Sequence, residues 1–229
     1  MPLTLIFYRA SHSANLIKKG NAKKGMRNLF IVIDGMDGSG KTELIKRLHN
    51  HLFSKDKRFK ILTTREPSNG AYGQRIRKML MEDKNPSDNA QSLLELFVKD
   101  REDHLKKTII PFLSEEGDGC NIILCDRYYY STLAFQQIQG ISFDAIFAMN
   151  RDFRKPDIAF LLDVDPKAAL KRIRSRVKEK FENLDFMQRL RKQFLLLKDQ
   201  LGDNIVVIDA NRTQKEVFED VRKSVDELF

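Results

Sequence analysis

At 229 residues the chain is long enough to bury one domain, and length alone gives no reason to divide it. The formal charge is +9, but residues 1–27 hold six of the basic side chains (Arg9, Lys18, Lys19, Lys23, Lys24, Arg27) and no acid; removing them leaves about +3, mild enough to suit phosphate ligands and to argue against a nucleic-acid-coating surface. Two cysteines, Cys120 and Cys125, read as reduced core thiols rather than a disulfide framework or metal site, and no apolar stretch nears the ~20 residues that span a bilayer, so a soluble, cytoplasmic chain is expected.

Residues 1–27 are expected to form a basic extension with three open readings: a start placed upstream of Met26, a disordered tail, or a targeting segment in which Lys exceeds Arg. A first strand is predicted at 29–33, followed by Gly35-Met36-Asp37-Gly38-Ser39-Gly40-Lys41-Thr42 and a helix at 41–53. A second strand at 60–63 leads into Thr64-Arg65-Glu66-Pro67, and a long helix is predicted at 89–113. The third strand, 121–125, ends on Asp126 and opens the aromatic run Asp126-Arg127-Tyr128 to Gln136. A helix at 145–152, a fourth strand at 158–162 and a helix at 166–177 follow, Asp165-Pro166 being a good helix opening. The chain closes with a helix at 186–200, a strand at 204–208 and a helix at 214–228. Nearly continuous apolar strands alternating with helices predict an α/β three-layer sandwich: a five-stranded parallel sheet flanked by helices.

The segment 35–42 fits Gly, four residues, Gly-Lys-Ser/Thr in full, between a strand and a helix. Its glycines let backbone amides close around phosphate oxygens, and the following helix turns its positive end toward the same anion. Gly35, Met36, Asp37, Gly38, Ser39, Gly40, Lys41 and Thr42 are therefore expected to bind a nucleotide, with Lys41 on the β and γ phosphates and Thr42 on magnesium. Asp126, closing an apolar strand beside this loop, is expected to hold the magnesium as well; an ion pair with Arg127 is the alternative.

A phosphate loop names the donor and not the acceptor. Thr64 to Pro67, Phe97 with Arg101, and Asp126 to Gln136, in that order, make the chain resemble the thymidylate kinase family of bacterial and archaeal type from about residue 28 onward. Phe97 and Arg101 are four apart and share a helix face, so a ring and a guanidinium can address one flat base. The resemblance implies ATP as donor, Phe97 stacked on thymine and Arg101 bonded to its exocyclic oxygen. It also implies Arg127 on the acceptor phosphate with Arg65 as a second candidate, and Asp37 near the acceptor 3′-hydroxyl and the metal. Thr132 is expected near base or sugar, and Phe135 stands where many members carry a Tyr close to the 2′-position. Other departures are Ser68-Asn69-Gly70 in place of Gly-Gly-Thr, and Gln74 in place of Glu.

The loop carries Gly38-Ser39 where some members place an arginine, so catalytic charge is expected from the cation-dense stretch 172–182, read as a mobile helical lid over about 172–184. Arg176 is its first catalytic candidate, Arg172 is assigned to adenine, and Asp209 to Arg212 to a further adenine contact. The activity expected is γ-phosphoryl transfer from ATP to dTMP, and the resemblance implies a homodimer. The alternatives are a kinase for another pyrimidine monophosphate or a deoxynucleoside, and a regulatory P-loop ATPase.

Overall fold

The computed structural model describes residues 27–82, 86–173 and 184–229. The basic extension up to residue 26 and the lid stretch 174–183, Arg176 included, lie outside the described residues.

Five strands make one parallel sheet: β1 (Leu29–Gly35), β2 (Phe59–Arg65), β3 (Cys120–Asp126), β4 (Ile158–Asp163) and β5 (Ile205–Asp209), in the spatial order β2-β3-β1-β4-β5. Every residue of β1 is buried, because helices cover both faces of a central parallel strand. This is why β1, β3 and β4 read as unbroken apolar runs rather than as alternating ones. β1 pairs with β3 so that Ile33 faces Asp126, and with β4 so that Gly35 faces Leu162. The carboxyl ends of the three middle strands therefore finish together, where ligands collect in open α/β sheets.

The helices are α1 (Lys41–Lys55), α2 (Ala71–Glu82), α3 (Ala90–His104), α4 (Ile110–Leu113), α5 (Tyr129–Ile138), α6 (Phe143–Ala148), α7 (Pro166–Ile173), α8 (Leu184–Gln200) and α9 (Gln214–Asp226). α1 packs on β1, β2, β3 and α9, whereas α5 and α8 pack together beside β1, β4 and β5. α2 and α3 build a small satellite core of Ile76, Leu93 and Leu96. α9 opens with a capping box in which the Thr213 hydroxyl and the Glu216 carboxylate each satisfy an amide at the helix start.

The α/β sandwich with its parallel five-stranded sheet is as the sequence led us to expect. The elements differ in detail. The long helix predicted at 89–113 is interrupted by a π turn, Leu105–Ile109, just ahead of Pro111, which has no N–H to give the helical ladder. α2 and α5 are additions to the predicted set; α5 begins within the aromatic run, where tertiary contacts override weak helix propensity. α6 starts earlier than predicted because the Ser142 hydroxyl caps it by accepting from Ala145. Among the described residues no helix is long and apolar enough to cross a membrane.

Phe160 lies at the middle of β4 with no solvent exposure. Phe160→Ala should lower unfolding free energy by about 3–5 kcal/mol, measured by urea denaturation; a loss under about 1 kcal/mol would mean that this part of the core can collapse around the gap.

Candidate active site

At the carboxyl ends of these strands a cleft of about 770 Å³ runs over the loop between β1 and α1. Its middle is Asp37 to Thr42, one end reaches Arg65, Asp126 and Arg127, and the other reaches Arg172, Arg212, Gln214 and Val217. Gly38 and Gly40 hold φ of 76° and 101°, conformations that a side chain resists. A Cβ at Gly38 would also stand 2.5 Å from the Ala169 carbonyl oxygen, so the loop lies tight against α7.

Lys41 is buried and donates through Nζ to the carbonyls of Gly35 and Met36, each at 2.9 Å. Burial, with Arg127 nearby, presses its pKa down against the pull of Asp37, Asp126 and Asp34. These bonds hold the ammonium over the loop that anionic phosphates would enter.

Arg127 is the joint of the site. Its backbone sits at φ 70°, the one positive φ among described non-glycine residues. Strain of this kind costs about 1–3 kcal/mol and persists where the surroundings impose it. The guanidinium donates to the Asp37 carboxylate, to the Gly35 carbonyl at 3.3 Å and to the Ser131 hydroxyl at 2.9 Å, and its face lies 5.7 Å from the Phe135 ring. Burial alone would lower the Arg127 pKa, but Asp37, Asp34 and Asp126 outweigh it and hold the charge in place. Burial also lifts the carboxyl of Asp37, yet Arg127 and Lys41 prevail and keep it below the usual range. Its side chain remains 47% exposed, facing the open cleft.

Behind the loop lies Asp34, an acid that sequence reasoning passed over. It is wholly buried and accepts from Gly35 N, Tyr128 N, Ser131 N and the Ser131 hydroxyl at 2.6–3.0 Å. Desolvation raises its pKa even against Arg127, Ser131 and Lys41. The available signal was the pattern of an apolar strand closing on a carboxylate, shared with Asp126.

Asp126 presents a different feature: its Oδ1 is buried with no hydrogen-bond partner. An acceptor left this way is costly unless a cation or water meets it. Among the described residues no group of three or more His, Cys, Asp or Glu gathers to hold a metal. A divalent ion here would rest on Asp126, the exposed Thr42 hydroxyl and phosphate oxygens, the sparse donor set that suits magnesium.

The other expected residues fall into two groups. Arg65 is exposed at the end of β2, its side chain making no hydrogen bond or ion pair with another described residue, while Arg172 donates to the carbonyls of Gly38 (3.2 Å) and Ala210 (3.4 Å), spanning the cleft wall. Phe97, Arg101, Thr132 and Phe135 do not line the cleft. Phe97 packs on the satellite core, and Phe135 lies between Arg127 and the rings of Phe186 and Phe194. Arg101 is 1% exposed: Nε donates to Glu66 at 2.9 Å, Nη2 to the Thr132 hydroxyl at 3.0 Å and Nη1 to Asn150. His104 joins the same buried network through Glu66 and, at 2.7 Å, the Thr64 hydroxyl. Nearby, Asp100 accepts from the Ser68 amide and hydroxyl, and Arg77 donates to the carbonyls of Pro67 and Ser68, bracing the loop after Glu66. Asn150 and Arg77 carry no local sequence signal that marks them for these roles.

Residues 33–221 match the family model described as Thymidylate kinase. The chain is 37% identical over 203 residues to a protein of Archaeoglobus fulgidus named "Probable thymidylate kinase", the match covering 88% of this chain and 96% of that one. It is 36% identical to "Thymidylate kinase" of Caldicellulosiruptor saccharolyticus (89% and 98% covered) and 38% identical to "Probable thymidylate kinase" of Methanocaldococcus jannaschii (86% and 94% covered).

The Glu66–Arg101 pair predicts a non-additive stability change. Glu66→Leu alone strands a buried guanidinium and should cost about 3–5 kcal/mol, whereas Glu66→Leu with Arg101→Met should recover much of that loss. Urea unfolding of both variants decides; equal losses would show that charge pairing is not what holds this region.

Proposed function

The chain belongs to the thymidylate kinase family, and on that premise we propose how its cleft moves the γ-phosphoryl group of ATP to dTMP, giving ADP and dTDP. The observation that carries the reading is the single cleft joining the phosphate loop, Arg127 and Asp126. An oxygen of the acceptor phosphate attacks the γ-phosphorus while the bond to the β-phosphate bridging oxygen breaks. The nucleophile is already an anion, so no protein base is needed and positioning supplies most of the acceleration.

In this reading residues 35–42 hold the triphosphate, and Lys41 exchanges its two carbonyl acceptors for β and γ oxygens. Arg127 turns its donors to the acceptor phosphate, with Arg65 free to approach from the end of β2. Asp37, released in part from Arg127, would approach the acceptor 3′-hydroxyl and the magnesium. Arg172 lies against adenine, and Arg176 of the lid adds charge to the moving group. Thr42 and Asp126 would hold magnesium, which would supply positive charge to the β and γ phosphates. Phe97 stacks on thymine, Arg101 addresses its exocyclic oxygen, and Thr132 and Phe135 border base and sugar. Glu66, Asn150 and Thr132 take three of the five Arg101 N–H donors and fix the plane of the guanidinium, so the base contact falls to the donors these bonds leave over.

The homodimer implied by the family is part of the proposal; Ile110, Leu195 and Leu196 are exposed apolar side chains that such a contact could cover. A cytoplasmic location is proposed too, and the two free, buried cysteines suit it.

The test is ADP formation by the full chain with ATP and magnesium, offered dTMP, dUMP, UMP or CMP. The expected result is a kcat/KM for dTMP above that for dUMP by roughly 10- to 200-fold, the range one methyl-sized contact supplies. Lys41→Ala should lower kcat by about 10²–10³-fold. Preference for another monophosphate would overturn the acceptor assignment, and unimpaired turnover in the Lys41 variant would overturn the phosphate loop's role.

A further inference from the structure

Arg127 must keep a strained backbone and a fixed side chain if it is to hold an acceptor phosphate in line with the donor. Its own neighbours in sequence do not impose this. Tyr128 is the N-cap of α5 and offers no side-chain cap. The missing cap comes from another element: Asp34 Oδ2 accepts from Tyr128 N and Ser131 N, both at 3.0 Å. The amide of Arg127 itself donates to the Ile33 carbonyl at 3.0 Å. Adjacent residues of β1 thus grip the backbone on both sides of the arginine. The side chain is controlled from the same place, for Asp34 Oδ1 receives the Ser131 hydroxyl proton at 2.6 Å and leaves that oxygen's lone pairs to Arg127 Nη1 at 2.9 Å. Oδ1 also accepts from the amide of Gly35, the first residue of the phosphate loop, at 2.8 Å.

We propose that Asp34 is a positioning residue for phosphoryl transfer, a buried carboxylate that locks the phosphate loop and the acceptor-phosphate arginine at a set separation. It rests on the role given to Arg127 above. Asp34 touches neither substrate: it lies behind the loop with no solvent exposure and acts through Gly35, Ser131 and the start of α5. A carboxylate is the side chain this place requires. It has acceptor sites for four donors, whereas an amide would turn an NH₂ group toward backbone N–H groups.

The test compares Asp34→Asn and Ser131→Ala with the wild type in the full chain, reading kcat, KM for ATP, KM for dTMP and the thermal midpoint, with rates referred to folded protein. Asp34→Asn is expected to lower kcat/KM for dTMP by about 10–100-fold, as losing a group that orients a reacting side chain does, with KM for ATP changing less. Ser131→Ala, which keeps the backbone cap and removes only the hydroxyl relay, should shift the same acceptor constants in the same direction by a smaller factor. A lowered midpoint with unchanged acceptor constants per folded molecule would overturn the proposal and leave Asp34 a stabilising residue only. If Asp34→Asn fails to fold, Ser131→Ala decides, and unchanged acceptor constants there overturn it. Failure of the underlying functional reading shows separately, as a wild type that does not turn over dTMP.

Discussion

Holding a guanidinium in place at the end of a buried parallel sheet requires carboxylates around it, and the layout of this molecule follows from meeting that requirement. The strand order puts β3 beside β1, and the register sets Asp126 opposite Ile33, so Asp34 and Asp126 reach the same corner from two strands. Asp37 closes the third side from the loop. Three acids around Lys41 and Arg127 oppose the desolvation of two cations, and at Arg127 they outweigh it. Without the cations, Asp34 would be an isolated buried ion, which proteins do not tolerate. The cluster is therefore both a folding constraint and the charge pattern of the proposed reaction.

A second buried charge group, after the end of β2, repeats this arrangement. Glu66 holds Arg101 and His104, Asp100 holds Ser68, and the loop after β2 is fastened to α3. Such fixed donors are worth more to a ligand than mobile ones, because their ordering cost is met when the chain folds. The Arg65 side chain is their opposite, exposed and unbonded to other described residues, and suited to a contact made only once an anion arrives.

The sheet and most helices were legible because burial on both faces writes itself into strand composition and because Gly-x-x-x-x-Gly-Lys-Thr punctuates one junction only. Phe97, Arg101 and Arg127 could be picked out by spacing and resemblance. Their surroundings could not. Asp34 works through four donors, three of them nearly a hundred positions away, and Asn150 meets Arg101 across 49 positions. Contacts of that range leave no periodicity in a single sequence. α5 was missed for a related reason: its start is capped by β1 rather than by a neighbour in the chain.

α5 ties the two charge groups together. Ser131 contacts Arg127, and the next residue, Thr132, contacts Arg101. The arginine proposed for the acceptor phosphate and the one proposed for the base are thus attached to consecutive residues of a single helix, itself clamped to β1 through Asp34. A helix rises 1.5 Å per residue and resists stretching, so the spacing of the two subsites is carried by backbone geometry rather than by flexible side chains. A ligand must bring a phosphate and a flat base at that spacing to satisfy both arginines. A nucleoside without its phosphate would leave Arg127 bonded to Asp37 and Ser131 as it already is, gaining nothing at that end. On this argument the preference for a monophosphate over a nucleoside originates in the rigidity of α5 and its attachment to the phosphate loop.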